Sequence, residues 1–106
     1  MTEIDPDKIL RKIKPQKSQI YEVEEKLWDV TVPNWKKRGC IEDTVKTMQK
    51  YKDDPFLDNI VSNKLTLMAC STYKDIIVRE AIKYVNKPWD EYYWELRKRY
   101  PVPEWD

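Results

Sequence analysis

PFLDNIVSNKLTLMACSTYKDIIVREAIKYVN, residues 55–86, keeps apolar side chains at helical spacing through Phe56, Ile60, Leu67, Tyr73, Ile77, Ala81 and Tyr84. Leu57, Val61, Leu65 and Met68 widen that stripe, so the segment reads as amphipathic helix with a broad buried face. One unbroken helix of this length would approach ~50 Å at 1.5 Å per residue, more than a chain this small easily covers. Thr72 followed by Asp75 resembles a capping box, which places a break near 69–72. A continuous helix would instead make Ala69, Cys70 and Ser71 a close helix crossing and would demand a partner for its exposed length.

The flanks continue the helical reading. Pro6, Pro55 and Pro88 each stand beside acidic residues and suit a first helical turn, which predicts three helix starts. Asp5 caps a short helix over 6–14, with Ile9, Leu10 and Ile13 on one face and Pro15 as its stop. Ser18 caps a second helix carrying Ile20, Val23, Leu27 and Val30 at helical spacing, with Glu22 four residues before Lys26. Pro33 ends it, and the β-branched run 30–32 also suits an extended segment. NWKKRGC, residues 34–40, reads as a polar loop, and a third helix follows over 41–52 with Ile41, Val45 and Met48 as its stripe.

The last helix starts at Pro88, with Asp90 and Glu91 in its first turn and Arg97, Lys98 and Arg99 in its last, the polarity a helix dipole favours. Trp89, Tyr92, Tyr93, Leu96 and Tyr100 share one face, and Trp94 points away. Pro101 and Pro103 direct 101–106 out of helix into an extended, Pro-rich tail. The expected architecture is all-α: one small helical bundle over 1–106 with four to six helices and Pro-capped starts. It comprises a basic N-terminal segment 1–17, a helical core 18–100 and the tail.

Composition narrows the function classes. A single glycine argues against hairpin-rich architectures and against phosphate-binding loops. Histidine is absent, which removes standard nucleophile–His triads and HExxH-type zinc sites. Cys40 and Cys70 match no metal-ligand or redox spacing and read as ordinary reduced thiols, Cys70 the more buried. No apolar run nears the ~20 residues that span a bilayer, and the opening residues lack the apolar block of a signal peptide. A soluble, cytoplasmic chain is the expectation, with no membrane partner. Low Ala and Gly beside abundant Lys, Ile, Tyr, Asn and Asp match an AT-rich coding sequence, as in low-GC bacteria, their phages and some archaeal viruses.

The carboxylate pairs Asp54/Asp58 and Glu91/Glu95 lie at helix starts, where capping and dipole roles explain them. No catalytic residue, metal, cofactor or small-molecule substrate is expected. The aromatic-rich end, which adds Trp105 in the tail, holds more rings than a small interior needs. The sequence therefore points to a non-enzymatic protein-binding chain, an assembly subunit or a small inhibitor or adaptor, contacting another protein or its own copies. Trp35, Tyr93, Trp94, Tyr100 and Trp105 are the predicted anchors. The competing reading is a nucleic-acid-binding regulator in which Lys12, Lys14, Lys36, Lys37, Arg38, Arg97, Lys98 and Arg99 neutralise phosphates while aromatic rings stack on bases.

Overall fold

The computed structural model describes residues 3–13 and 21–104, which form six α-helices and two 3-10 turns, with no strand among the described residues. Helix α1, Pro6–Ile13, is capped as its sequence predicts: the Asp7 amide donates to Asp5 Oδ1 at 3.0 Å. Ile9 and Ile13 are buried. Ser18, Ile20 and the rest of 14–20 lie outside the described residues.

Helix α2, Tyr21–Thr31, turns a different side inward from the one expected. Leu27 and Val30 are exposed, whereas Trp28 and Val32 are buried. Trp28 packs against Tyr73 with ring centroids 5.6 Å apart. The indole sets the phase of the helix, because Trp28 with Val32 removes more apolar surface from water than Leu27 with Val30 would. Residues 30 and 31 are helical, not extended.

Helix α3, Asn34–Lys50, overturns the loop expected at 34–40. The Pro33 carbonyl accepts from the amides of Lys36 and Lys37, both at 3.0 Å, so the helix begins directly after the proline. Lys36, Lys37 and Arg38 are good helix formers, and one glycine costs only about 1 kcal/mol in a helix whose packing compensates. Helix α4, Leu57–Leu67, starts two residues beyond Pro55, where Asp54 Oδ1 accepts the Phe56 amide at 2.8 Å.

The 55–86 stretch is broken, at the place expected but by another device. Ala69 takes φ 57°. The Cys70 amide reaches back to the Leu65 carbonyl at 2.8 Å and the Ala69 amide to that of Thr66 at 3.1 Å, the two bonds of a Schellman C-cap. No side-chain capping bond starts the next helix, so the Thr72–Asp75 box does not form. A 3-10 turn, Ser71–Tyr73, leads into α5, Lys74–Ala81, and a second 3-10 turn, Ile82–Tyr84, follows. Helix α6, Trp89–Arg99, begins after Pro88, whose carbonyl accepts from Glu91 and Tyr92.

Helix α3 lies at the centre, against α4, α5 and α6, while α1 rests on α4. Ile41, Val45 and Met48 meet a core that includes Leu57, Val61, Leu65, Ile77, Val78, Ala81, Tyr92 and Leu96. Phe56 and Leu67, expected on the buried stripe, stay outside. The shortest dimension, 22 Å, matches two helix layers of about 10 Å each.

Cys40 and Cys70, expected as separate thiols, are joined in a disulfide that ties α3 to the α4–α5 joint. Both are buried. The two ends of the described fold are also tied. Asn86 exchanges two hydrogen bonds with the Ile4 backbone at 2.7 and 2.8 Å, and Asn34 Nδ2 donates to the Pro101 carbonyl at 2.9 Å. Val102 is buried and Pro103 and Glu104 form a turn, so the described part of the tail returns to its own domain instead of extending from it.

Candidate interaction surface

Helix α6 is amphipathic in an unusual sense, because both of its sides are aromatic. Tyr92 and Leu96 enter the core, and burial pushes the Tyr92 phenol up from its ordinary range. On the outside stand Trp89, 50% exposed, and Trp94, 56% exposed, with Tyr93 half-buried between them. Trp89 and Tyr93, one turn apart, stack at 4.9 Å between ring centroids, and Tyr93 meets Trp94 edge-on at 5.6 Å. The Arg97 guanidinium lies 4.5 Å from the Trp94 ring centre and 5.7 Å from that of Tyr93. Ring on ring with a guanidinium over two of them gives a pre-ordered surface, since each side chain restricts the rotamers of the next.

The exposed ridge of α3 runs beside this ladder. Trp35, Gly39, Glu42 and Lys46 recur at four-, three- and four-residue steps, which is one face of a helix. Trp89 Nε1 donates to Glu42 Oε1 at 2.8 Å, and Glu42 also holds Lys46 at 3.0 Å. That hydrogen bond with Glu42 raises the Lys46 pKa above its ordinary value. Contact of residue 42 with 89 and of 34 with 101 makes α3 and α6 antiparallel. Trp35, 51% exposed, lines a shallow groove of about 320 Å³ with Lys36, Gly39, Cys40 and Met68.

Trp35, Tyr93 and Trp94 of the predicted anchors therefore lie on the outer faces of two adjacent helices. Tyr100 does not. It is buried, its hydroxyl accepts from Arg99 Nε at 3.1 Å, and the Lys37 ammonium sits 5.5 Å from its ring centre. The helix ends at Tyr100, and the turn back toward Asn34 folds that ring under the chain. Trp105 lies outside the described residues. Trp89, which the helical period assigns to the core face, is exposed because its first-turn position lies at the rim of the interior. Its start-of-helix place directly after a proline was the available signal.

The basic residues are largely engaged within the chain. Lys37 is 5% exposed, between the rings of Trp28 and Tyr100, with its ammonium donating to the Asp29 carbonyl at 3.3 Å. Arg38 is buried and Lys36 half-buried. Arg99 pairs with Glu80 at 3.0 Å, Arg97 covers Trp94, and Lys12 donates to the Lys52 carbonyl at 2.9 Å. Lys98 is exposed, and Lys14 lies outside the described residues. Residues 36–38 and 97–99 share one end of the α3/α6 pair, whereas Lys12 sits at the other end of α3 beside Lys52.

No family model, curated protein or solved structure matches the chain. Its chemistry must be read from its own residues. Asp54 caps a turn, Asp58 pairs with Lys74, and Glu91 and Glu95 both face Lys87, with Glu95 at 2.7 Å. Each carboxylate of the two candidate pairs thus has a structural partner. Among the described residues no group of three or more Cys, Asp or Glu is placed to hold a metal ion, and no helix is long and apolar enough to cross a membrane.

Proposed function

We propose that this chain acts by binding another protein, as a subunit of an assembly or as a small inhibitor or adaptor. The contact face is the outer side of α6 with the adjoining ridge of α3. The observation that carries the reading is the Trp89–Tyr93–Trp94 ladder with Arg97 over it, half in solvent although it is ordered by its own stacking. Trp, Tyr and Arg are the residues most often found at interface hot spots, and side chains fixed before contact lose less entropy on binding.

Nucleic-acid binding is the weaker reading. Base stacking on the same rings is chemically open to it, but Lys37, Arg38, Arg97 and Arg99 are buried, stacked or ion-paired within the fold. A mobility-shift series in rising salt separates the two readings, since phosphate contacts weaken steeply with added salt.

The test of the main reading is affinity capture from the native host with wild type and with Trp94→Ser and Trp89→Ser, each confirmed folded by circular dichroism. Loss of the captured protein in both variants is the expected result. Identical capture by all three would refute the assignment of this face.

A further inference from the structure

We propose that the partner of the α6 face is a second copy of this chain, its α6 crossing the first antiparallel with Trp94 on the two-fold axis. This rests on the reading above and names its occupant. The ridge of α6 farthest from the core consists of Asp90, Trp94 and Lys98, at i, i+4 and i+8, turned away from buried Tyr92 and Leu96. Asp90 and Lys98 are exposed, and neither makes an ion pair among the described residues. The ridge therefore presents an acid, an indole and a base, one turn apart, in that order.

Such a pattern is complementary to itself when reversed. A two-fold contact joins the same patch on both copies, so residue i of one meets j of the other while j meets i. With the axis at Trp94, Asp90 of one copy faces Lys98 of the other twice over, and the two Trp94 rings meet in the middle, where offset stacking suits an indole pair. The dipoles of the two helices also oppose, which an antiparallel pair favours. A parallel arrangement would set Asp90 against Asp90 and Lys98 against Lys98. Two three-turn helices, with the Trp35 ridge at the rim, fall short of the ~800 Å² per partner of a standard interface, which places the dimer among weak and reversible ones.

Charge exchange tests this directly. Sedimentation equilibrium of wild type from about 10 µM to 1 mM is expected to show monomer and dimer, a range that suits a weak contact. Asp90→Lys sets base against base at both ends of the contact, and Lys98→Asp sets acid against acid. Each variant alone is expected to self-associate at least about tenfold more weakly, because two attractive pairs become repulsive. In an equimolar mixture of the two, the all-basic ridge of one variant faces the all-acidic ridge of the other. Both pairs are then attractive again, and a heterodimer is expected within about threefold of wild-type affinity. Circular dichroism confirms that each variant folds. A wild type that dimerises while the mixture stays monomeric overturns the antiparallel pairing. A wild type that is monomeric throughout overturns the second-copy occupant, and capture of a different protein that depends on Trp94 would then leave the wider reading standing.

Discussion

Lys37 shows how a single residue reverses its expected role. A lysine in a run of three basic residues suggests a solvated or phosphate-binding group, yet its stem and ammonium fill the space between Trp28 and Tyr100. Three elements meet there: α2 through Trp28, α3 through Lys37 itself, and the end of α6 through Tyr100. Lys37→Ala is expected to destabilise the fold by about 2–3 kcal/mol in urea unfolding, through lost packing of a buried stem and loss of the cation between two rings. Lys37→Met keeps the stem and removes the charge, and its cost should stay below about 1.5 kcal/mol, since apolar replacement of a buried ion is often near neutral. Equal stability of wild type and Lys37→Ala would place the side chain in solvent.

At the scale of the element, Ala69 is the informative position. It holds the left-handed conformation that closes the C-cap of α4, where glycine is the usual occupant because a Cβ is strained there. Ala69→Gly is therefore expected to raise stability by about 0.5–1 kcal/mol, read as an increased urea midpoint at unchanged slope. A loss of stability would mean that φ at residue 69 is negative in solution. The missing glycine also explains what the sequence conceals. Helical spacing and the length of 55–86 are enough to require a break, but the letters at 69–72 advertise an N-cap while the backbone builds a C-cap. The caps at Asp5 and Pro88 are legible because each is a local bond between near neighbours. By contrast, 34–40 reads as a loop because a polar run around Gly39 shows no apolar stripe, and the contact that gives this turn a buried side is tertiary: Lys37 is held inward between Trp28 and Tyr100. The outward face of α6 is half legible. Trp94 falls off the apolar stripe by period alone, whereas the exposure of Trp89 and the burial of Tyr100 depend on where the helix ends meet the rest of the fold.

For the whole molecule, stability has two experimental levers. The disulfide between Cys40 and Cys70 spans 30 residues of sequence. Closing a loop of that size restricts the unfolded chain and is expected to add about 3–4 kcal/mol in the loop-entropy description. Urea unfolding with and without reductant measures it, and an unchanged midpoint would contradict the crosslink. Alkali is the second lever. Burial raises the phenol pKa of Tyr84, Tyr92 and Tyr100, and the hydrogen bond to Glu42 raises that of the Lys46 ammonium. The native state thus holds these protons to higher pH than the unfolded chain, whose tyrosines titrate near pH 10. Their contribution is complete below about pH 10 and is lost as pH climbs through the raised native values. Helical circular dichroism and tyrosinate absorbance should change together above that point. Loss of helix well below pH 10 would show that another group controls unfolding.

Every functional statement about this molecule depends on Trp94 standing outside a folded monomer. Fluorine NMR of protein labelled with 5-fluorotryptophan, with resonances assigned by single Trp→Phe variants, reads this at dilute concentration through the solvent isotope shift of each indole. Trp94 is expected to show a large shift between light and heavy water, and Trp28 almost none. A Trp94 as shielded as Trp28 in the dilute monomer would contradict the account.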